Sequence, residues 1–191
     1  MEESRLMLDR PTLILVMGVP ASGKTTLSKE ILKRIGAVYL DNNFLADAFF
    51  PSTRTDPKYR ELRPALYRAL YRITEENLLI GNSVLLDVPH VTQMQDLRWR
   101  ESLSDLVRRT SASLVIVRCL CSESTLRQRI KDRGEKRDQW KLDHWGEFMA
   151  QEPIEIEIPF QHIDINTEEE ARGNAARVVQ YIERVASIGR D

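Results

Sequence analysis

The chain predicts an α/β fold, a mostly parallel sheet with helices on both faces. Three observations carry this. Short apolar runs alternate with longer stretches of helical periodicity, as βαβ crossovers require. The runs Thr12 to Met17 and Leu114 to Val117 are apolar and rich in β-branched residues, which suits strands buried on both faces. With 191 residues, 42% hydrophobic and 30% charged, the chain has the size and make-up of one globular domain, so a single domain over residues 1–191 is expected.

The elements follow in order. Thr12 to Met17 is the first strand. Lys24 to Ile35 reads as a helix with Leu27, Ile31, Leu32 and Ile35 on one side and Gly36 as its C-cap. Ala37 to Leu40 is a second strand ending at Asp41. A loop holding Pro51, Ser52 and Pro57 leads to a helix from Pro64 to Ile80, with Pro64 in its first turn and Leu66, Leu70, Ile73 and Leu78 as its apolar stripe. Gly81 ends it. Ser83 to Val88 is the third strand, and Val91 to Arg109 is polar and partly helical. Ser113 to Leu120 is the fourth strand. Ser122 caps a helix reaching Arg133, and Asp138 to Ala150 forms another. His162 to Ile165 is the fifth strand. Thr167 opens the last helix, with Glu170 completing a capping box, and that helix runs to Ala186. Function in such sheets gathers at the carboxyl ends of the strands.

Bulk properties narrow the choice. Lys plus Arg total 28 and Asp plus Glu 29, a net charge of -1, which gives no support to nucleic acid or an acidic membrane as partner, although net charge hides local patches. The two cysteines, Cys119 and Cys121, would point to one face of a strand and into packing. They make neither a disulfide framework nor a zinc site. No apolar run is long enough to span a bilayer. The N-terminus begins acidic and lacks the apolar stretch of a signal peptide, so a cytoplasmic location is expected.

The strongest signal is Gly18-Val19-Pro20-Ala21-Ser22-Gly23-Lys24-Thr25, a full match to G-x-x-x-x-G-K-[ST]. Chance would produce this pattern in roughly one chain in a hundred of this length. It also follows a buried strand and opens a helix, the context that confirms it. The two glycines let the backbone turn so that its N–H groups point inward as an anion nest. The helix start adds the positive end of its dipole. Lys24 reaches the β- and γ-phosphates of a bound triphosphate, and the Thr25 hydroxyl ligates Mg²⁺. Thr26 follows in the first helical turn. Asp87 stands at the carboxyl end of the third strand, where it can hold Mg²⁺ through water or orient a nucleophile. His90, three residues on, is a weaker candidate for touching substrate. Arg129, Arg133 and Arg137 are four apart, and Gly134 interrupts the helix that would carry them.

These features resemble the P-loop kinases of the nucleotide-kinase-like group, in the branch of gluconate kinase, chloramphenicol phosphotransferase, polynucleotide kinase and zeta toxin. Four segments anchor the likeness: the phosphate loop, Tyr39-Leu40-Asp41-Asn42-Asn43-Phe44, Val84 to Asp87, and the arginine-rich stretch Arg127 to Asp138. The resemblance implies a P-loop NTPase α/β/α sandwich of three layers. Its parallel sheet would have five strands in the order 2-3-1-4-5, with an arginine-bearing helical lid over about 122–150. It implies ATP as nucleotide, Mg²⁺ as metal, and Arg133 and Arg137 closing over the γ-phosphate. It also implies a carboxylate beyond the second strand that takes the proton of an attacking hydroxyl. The common wording there is D-x-D, and Asn43 stands at the second place. That leaves Asp41, Asp47 if the loop turns helical, or a protein that does not phosphorylate a hydroxyl by this route. Asn43 itself then becomes a candidate for substrate contact.

In such kinases the segment from Arg54 to Arg72 covers the acceptor. Here Tyr67 and Tyr71 are expected to pack on the core while the arginines face water. Three functions fit. The leading one is an ATP-dependent kinase for a small hydroxylated molecule, with Lys24, Asp41, Arg133 and Arg137 as its catalytic groups. The others are a polynucleotide 5′-hydroxyl kinase and a nucleotide-binding regulatory protein with little transfer chemistry.

Overall fold

A computed structural model describes residues 5–50 and 56–187. The loop residues Pro51, Ser52 and Arg54 and the first four residues lie outside this description. Five strands form one parallel sheet: β1 (Thr12–Met17), β2 (Val38–Asp41), β3 (Val84–Asp87), β4 (Ser113–Leu120) and β5 (His162–Asn166). Their order is β2-β3-β1-β4-β5, as expected. All six residues of β1 are buried, because helices cover both faces. Leu13, Leu15 and Met17 face one core with Leu70, Leu78, Leu103 and Leu106. Ile14 and Val16 face the other with Leu27, Ile31, Val178 and Ile182. The two-residue alternation of a strand sorts neighbours into opposite layers.

The first layer is α3 (Pro57–Leu79) and α5 (Leu97–Thr110), and the second is α1 (Lys24–Leu32) and α9 (Ala171–Ser187). Two shorter helices, α2 (Asn42–Phe49) and α4 (Val91–Met94), follow the tips of β2 and β3. After β4 come α6 (Glu123–Arg133), a 3-10 turn at Lys136–Asp138, α7 (Gln139–Asp143) and α8 (Trp145–Gln151). This group shares a small core of Val19, Leu126, Ile130 and Phe148 with the phosphate loop. Ser122 caps α6 as expected, accepting from the Thr125 amide at 3.2 Å.

Several boundaries differ from the sequence reading, each for a local reason. α3 starts at Pro57, not Pro64, because Asp56 caps it by accepting from the Lys58 amide at 2.8 Å. Pro64 therefore sits inside the helix, and Ile73, expected in the apolar stripe, is 41% exposed while Thr74 is buried. α2 forms where a loop was expected, since Asp41 caps it. The helix expected over Asp138 to Ala150 breaks at His144 into α7 and α8. The last helix starts at Ala171, where the Glu170 carboxylate accepts from the amides of Arg172 at 2.9 Å and Gly173 at 2.6 Å. Thr167 is freed for another task. Cys119 and Cys121 are both buried and unpaired as thiols. No helix among the described residues is long and apolar enough to cross a membrane.

Candidate active site

The carboxyl edge of the sheet opens into a cleft of about 1210 Å³. A single small molecule typically fills roughly 300–1,000 Å³, so this cleft has room for two ligands. Its floor is the phosphate loop between β1 and α1. Gly23 has φ +91 and leaves α1 with no side-chain cap. The first-turn amides therefore have neither helical acceptors nor a capping side chain, which suits an anion. A Cβ at Gly23 would lie 2.9 Å from Cβ of Thr167. At Gly18, with φ +140, it would lie 2.6 Å from the Cys119 carbonyl oxygen. Both positions combine strained geometry with no space, so glycine is required. Ala21 also takes a left-handed φ of +67.

Of the residues expected to bind nucleotide, Pro20, Ala21, Gly23, Lys24, Thr25 and Thr26 line the cleft. Gly18, Val19 and Ser22 shape the loop from beneath. Val19 is in the small core, and the buried hydroxyl of Ser22 has no partner among the described residues. Lys24 donates to the carbonyls of Gly18 and Val19, both at 2.9 Å. Burial lowers its pKa, opposed chiefly by the charge of Asp87.

Beside Lys24 sits a carboxylate pair. The parallel register puts Asp41 directly opposite Asp87 at the ends of β2 and β3. Thr25 donates to Asp87 Oδ2 at 2.7 Å, and the Tyr39 hydroxyl reaches the same oxygen at 3.1 Å and Asp41 Oδ2 at 3.4 Å. Burial, then Asp87, raises the pKa of Asp41. Burial and the same two carboxylates push the Tyr39 phenol well up. Asn43 lines the cleft, but its amide at 2.8 Å and its side chain at 3.0 Å both serve Asp41 Oδ1. Asp41 is thus a helix cap through one oxygen and faces Tyr39 through the other. The donor set of Thr25 hydroxyl and Asp87 carboxylate is hard oxygen, which fits Mg²⁺. No group of three or more His, Cys, Asp or Glu among the described residues could hold a metal.

The three arginines expected in the lid all line the cleft. Arg129 donates to the hydroxyl of Thr167 at 2.9 Å and to its carbonyl at 2.6 Å, and that hydroxyl in turn reaches the Ser22 carbonyl at 2.8 Å. Arg129 therefore braces the phosphate loop. Nothing in the sequence marked Thr167 for this. Gly134 ends α6 in a left-handed turn, so the arginines do not share one helix face. Arg133 pairs with Asp138, and so does Lys141. Asp138 is almost wholly buried; burial pushes its carboxyl up, but Lys141 and Arg133 hold it below the usual range. Arg137 binds both oxygens of Asp47 on α2 at 2.5 Å. Asp47 is thus drawn towards the lid.

His90, the weaker candidate for touching substrate, is fully buried and outside the cleft lining. It stacks on Tyr71 at 5.8 Å and lies 5.0 Å from the ring of Trp99, with Tyr71 Oη 2.6 Å from Nε2. Burial, then the charges of Arg63 and Lys24, pushes its pKa down to about 3. Tyr71 packs in the core as expected. Tyr67 does not behave as core alone: with Arg60 and Arg63 it lines the cleft. Glu152, also in the lining, was not singled out in the sequence at all.

With this geometry in view, likeness to known proteins decides the family. The AAA domain family matches residues 13–152, most of the chain. The chain belongs to the AAA domain family. Solved structures agree on the fold. A Chloroflexus aurantiacus protein assigned as a kinase is 20% identical, with TM-score 0.71 over 92% of this chain and 97% of that one. A sugar kinase from a Janibacter species is 16% identical, with TM-score 0.67 over 95% and 99%. The APS kinase of Mycobacterium tuberculosis, solved with AMPPNP and APS, is 16% identical, with TM-score 0.60 over 91% and 98%. A comparison with curated proteins finds no match. This AAA domain chain therefore has the fold of P-loop kinases, a three-layer sandwich with the sheet order already described.

Proposed function

We propose that the protein is an ATP-dependent kinase that transfers the γ-phosphate to a hydroxyl of a small molecule. One observation carries the reading: Asp41 and Asp87 sit side by side at the sheet edge, in the same cleft as the phosphate loop. A nucleotide site alone does not need the second carboxylate. The cleft volume supports a second ligand, and the fold is shared with kinases of small substrates.

In this reading the loop amides and Lys24 bind the triphosphate. Thr25 and Asp87 would hold Mg²⁺, which would supply charge to balance the phosphate oxygens. Asp41 Oδ2 accepts the proton of the acceptor hydroxyl, and its raised pKa favours that step. The acceptor oxygen forms a bond to the γ-phosphorus as the bond from that phosphorus to the β–γ bridging oxygen breaks. ADP leaves with the electron pair, and the proton passes from Asp41 to solvent. Asn43 holds Asp41 through its other oxygen. Arg133 and Arg137 offer guanidinium groups to the transferring oxygens once they exchange their carboxylate partners for phosphate. Positioning and electrostatics supply most of the acceleration.

The test is ATP turnover against a panel of sugars, sugar acids, antibiotics, nucleosides and 5′-hydroxyl oligonucleotides, with products identified by mass spectrometry. Asp41→Asn should lower kcat by about 10²–10³-fold with ATP affinity retained. Intact ATP binding with no phosphorylated product from any acceptor would refute the kinase. Unchanged turnover in Asp41→Asn would remove that residue from the mechanism.

A further inference from the structure

A bidentate ion pair ties the lid to α2. Arg137, on the 3-10 turn, donates to both oxygens of Asp47, each at 2.5 Å. Both residues line the cleft, so the pair bridges two of its walls. A carboxylate offers a guanidinium the same two in-plane oxygens that a phosphate does. Asp47 therefore occupies donors through which Arg137 would meet a γ-phosphate.

The second lid arginine is held differently. Arg133 gives its Nε and Nη2 to one oxygen of Asp138, while Lys141 takes the other. Asp138 is 1% exposed, and withdrawing a cation from a buried carboxylate is costly. Asp47 is 39% exposed, so water can replace Arg137 when the pair opens. The two ends of the Arg137 pair also differ in support. Asp138, next to Arg137 on the same turn, is pinned by two cations. On α2 only Asn42 and Ala46 are buried, and Phe44 and Phe49 are 63% and 65% exposed. The pair thus joins an arginine on a firm base to a carboxylate on a lightly packed helix. When it opens, Arg137 stays at the cleft and Asp47 withdraws.

We propose that Asp47 is a positioning residue that acts through Arg137: in the empty cleft it stands in for the γ-phosphate, and a nucleoside triphosphate displaces it. A diphosphate has no γ-phosphate and leaves the pair closed. Displacement rests on the reading that Arg137 meets the γ-phosphate; it does not depend on transfer to an acceptor. Part of the triphosphate's binding free energy goes into opening the pair, so removing Asp47 should tighten triphosphates alone.

The experiment titrates the full chain with AMPPNP and with ADP, each with Mg²⁺, by calorimetry. The variants are Asp47→Asn, Arg137→Gln and the two combined, each checked for folding by circular dichroism. Asp47→Asn should bind AMPPNP about fivefold tighter or more, with ADP unchanged within about twofold. Adding Arg137→Gln to it should weaken AMPPNP by about tenfold or more. In the Arg137→Gln chain, Asp47→Asn should change AMPPNP affinity by less than about twofold, because the partner through which it acts is gone. Unchanged AMPPNP affinity in Asp47→Asn overturns the proposal. So does an equal gain for AMPPNP and ADP, or a gain that persists without Arg137, since either marks only the general field of a lost charge. If Arg137→Gln costs AMPPNP nothing even in the Asp47→Asn chain, the arginine does not reach the γ-phosphate, and that reading falls with the proposal. The predicted coupling in a chain that phosphorylates no acceptor supports displacement and refutes the kinase reading instead.

Discussion

The phosphate loop draws its chemistry from eight consecutive residues, Gly18 to Thr25, whereas the acceptor wall draws Asp41, Arg63, Asp87 and Glu152 from four separate places in the chain. The first region works through backbone amides whose direction is fixed by one strand, one turn and one helix. The second works through side chains that meet only when the sheet is assembled. The difference teaches where to expect resilience. A loop of amides has few side chains to lose: Lys24, which ties the loop through two carbonyls, and Thr25, which donates to Asp87. The acceptor wall can lose one member and keep the rest.

The sharpest way to break this contrast is Lys24→Ala. It should lower transfer by about 10³-fold, on the order of 4 kcal/mol in the barrier, and weaken nucleotide binding at least tenfold. Nucleotide titration of a variant shown to be folded checks it. Undiminished affinity would mean the amides alone hold the triphosphate, and the division between the two regions would be drawn in the wrong place.

The same contrast explains what could be read from sequence. β1 and β4 have the expected limits because continuous β-branched runs encode buried strands directly. The phosphate loop and the Ser122 cap were legible because each is complete within a few residues. Asp41 and Asp87 were legible as strand ends, but their adjacency is a matter of register across the crossover between β2 and β3. Arg63, Tyr67 and Glu152 were not legible as site residues. Which face of α3 meets the cleft depends on where the helix begins and how it packs. Starting it at Pro64 instead of Pro57 left the turn that carries Arg60 and Arg63 unread. His90 looked like a loop residue because nothing nearby in sequence announces Tyr71 and Trp99 as its neighbours.

A smaller effect separates the two lid arginines. Arg137 pairs with Asp47, which is 39% exposed, so Arg137→Ala should lower kcat by about 10–100-fold with little change in the unfolding midpoint. Arg133 pairs with Asp138, 1% exposed and shared with Lys141. Arg133→Ala leaves a buried carboxylate with one cation in place of two. It should therefore also cost about 1–3 kcal/mol of stability, a fall of several degrees in the midpoint. Steady-state kinetics and thermal unfolding of both variants check the split. Equal midpoints would show that Asp138 does not depend on Arg133.

An effect invisible at neutral pH concerns the support behind the acceptor wall. His90 faces Tyr67 and Tyr71 from α3 and Trp99 from α5, and the charges of Arg63 and Lys24 disfavour its protonation. Its pKa is about 3 in the folded chain, against about 6.5 when exposed. Between these values the unfolded chain binds a proton that the native chain does not. Stability from this residue is therefore complete above about pH 6.5 and is lost as pH falls towards 3. Moving from pH 7 to 4.5 should cost about 2–3 kcal/mol through His90 alone. Urea unfolding of wild type and His90→Gln at both pH values isolates it. The variant loses the Tyr71 contact and starts lower at pH 7, but its decline on acidification should be shallower by that amount. Parallel declines would mean that the imidazole protonates within the fold, and that the wall behind Arg63 opens to water as the pH drops.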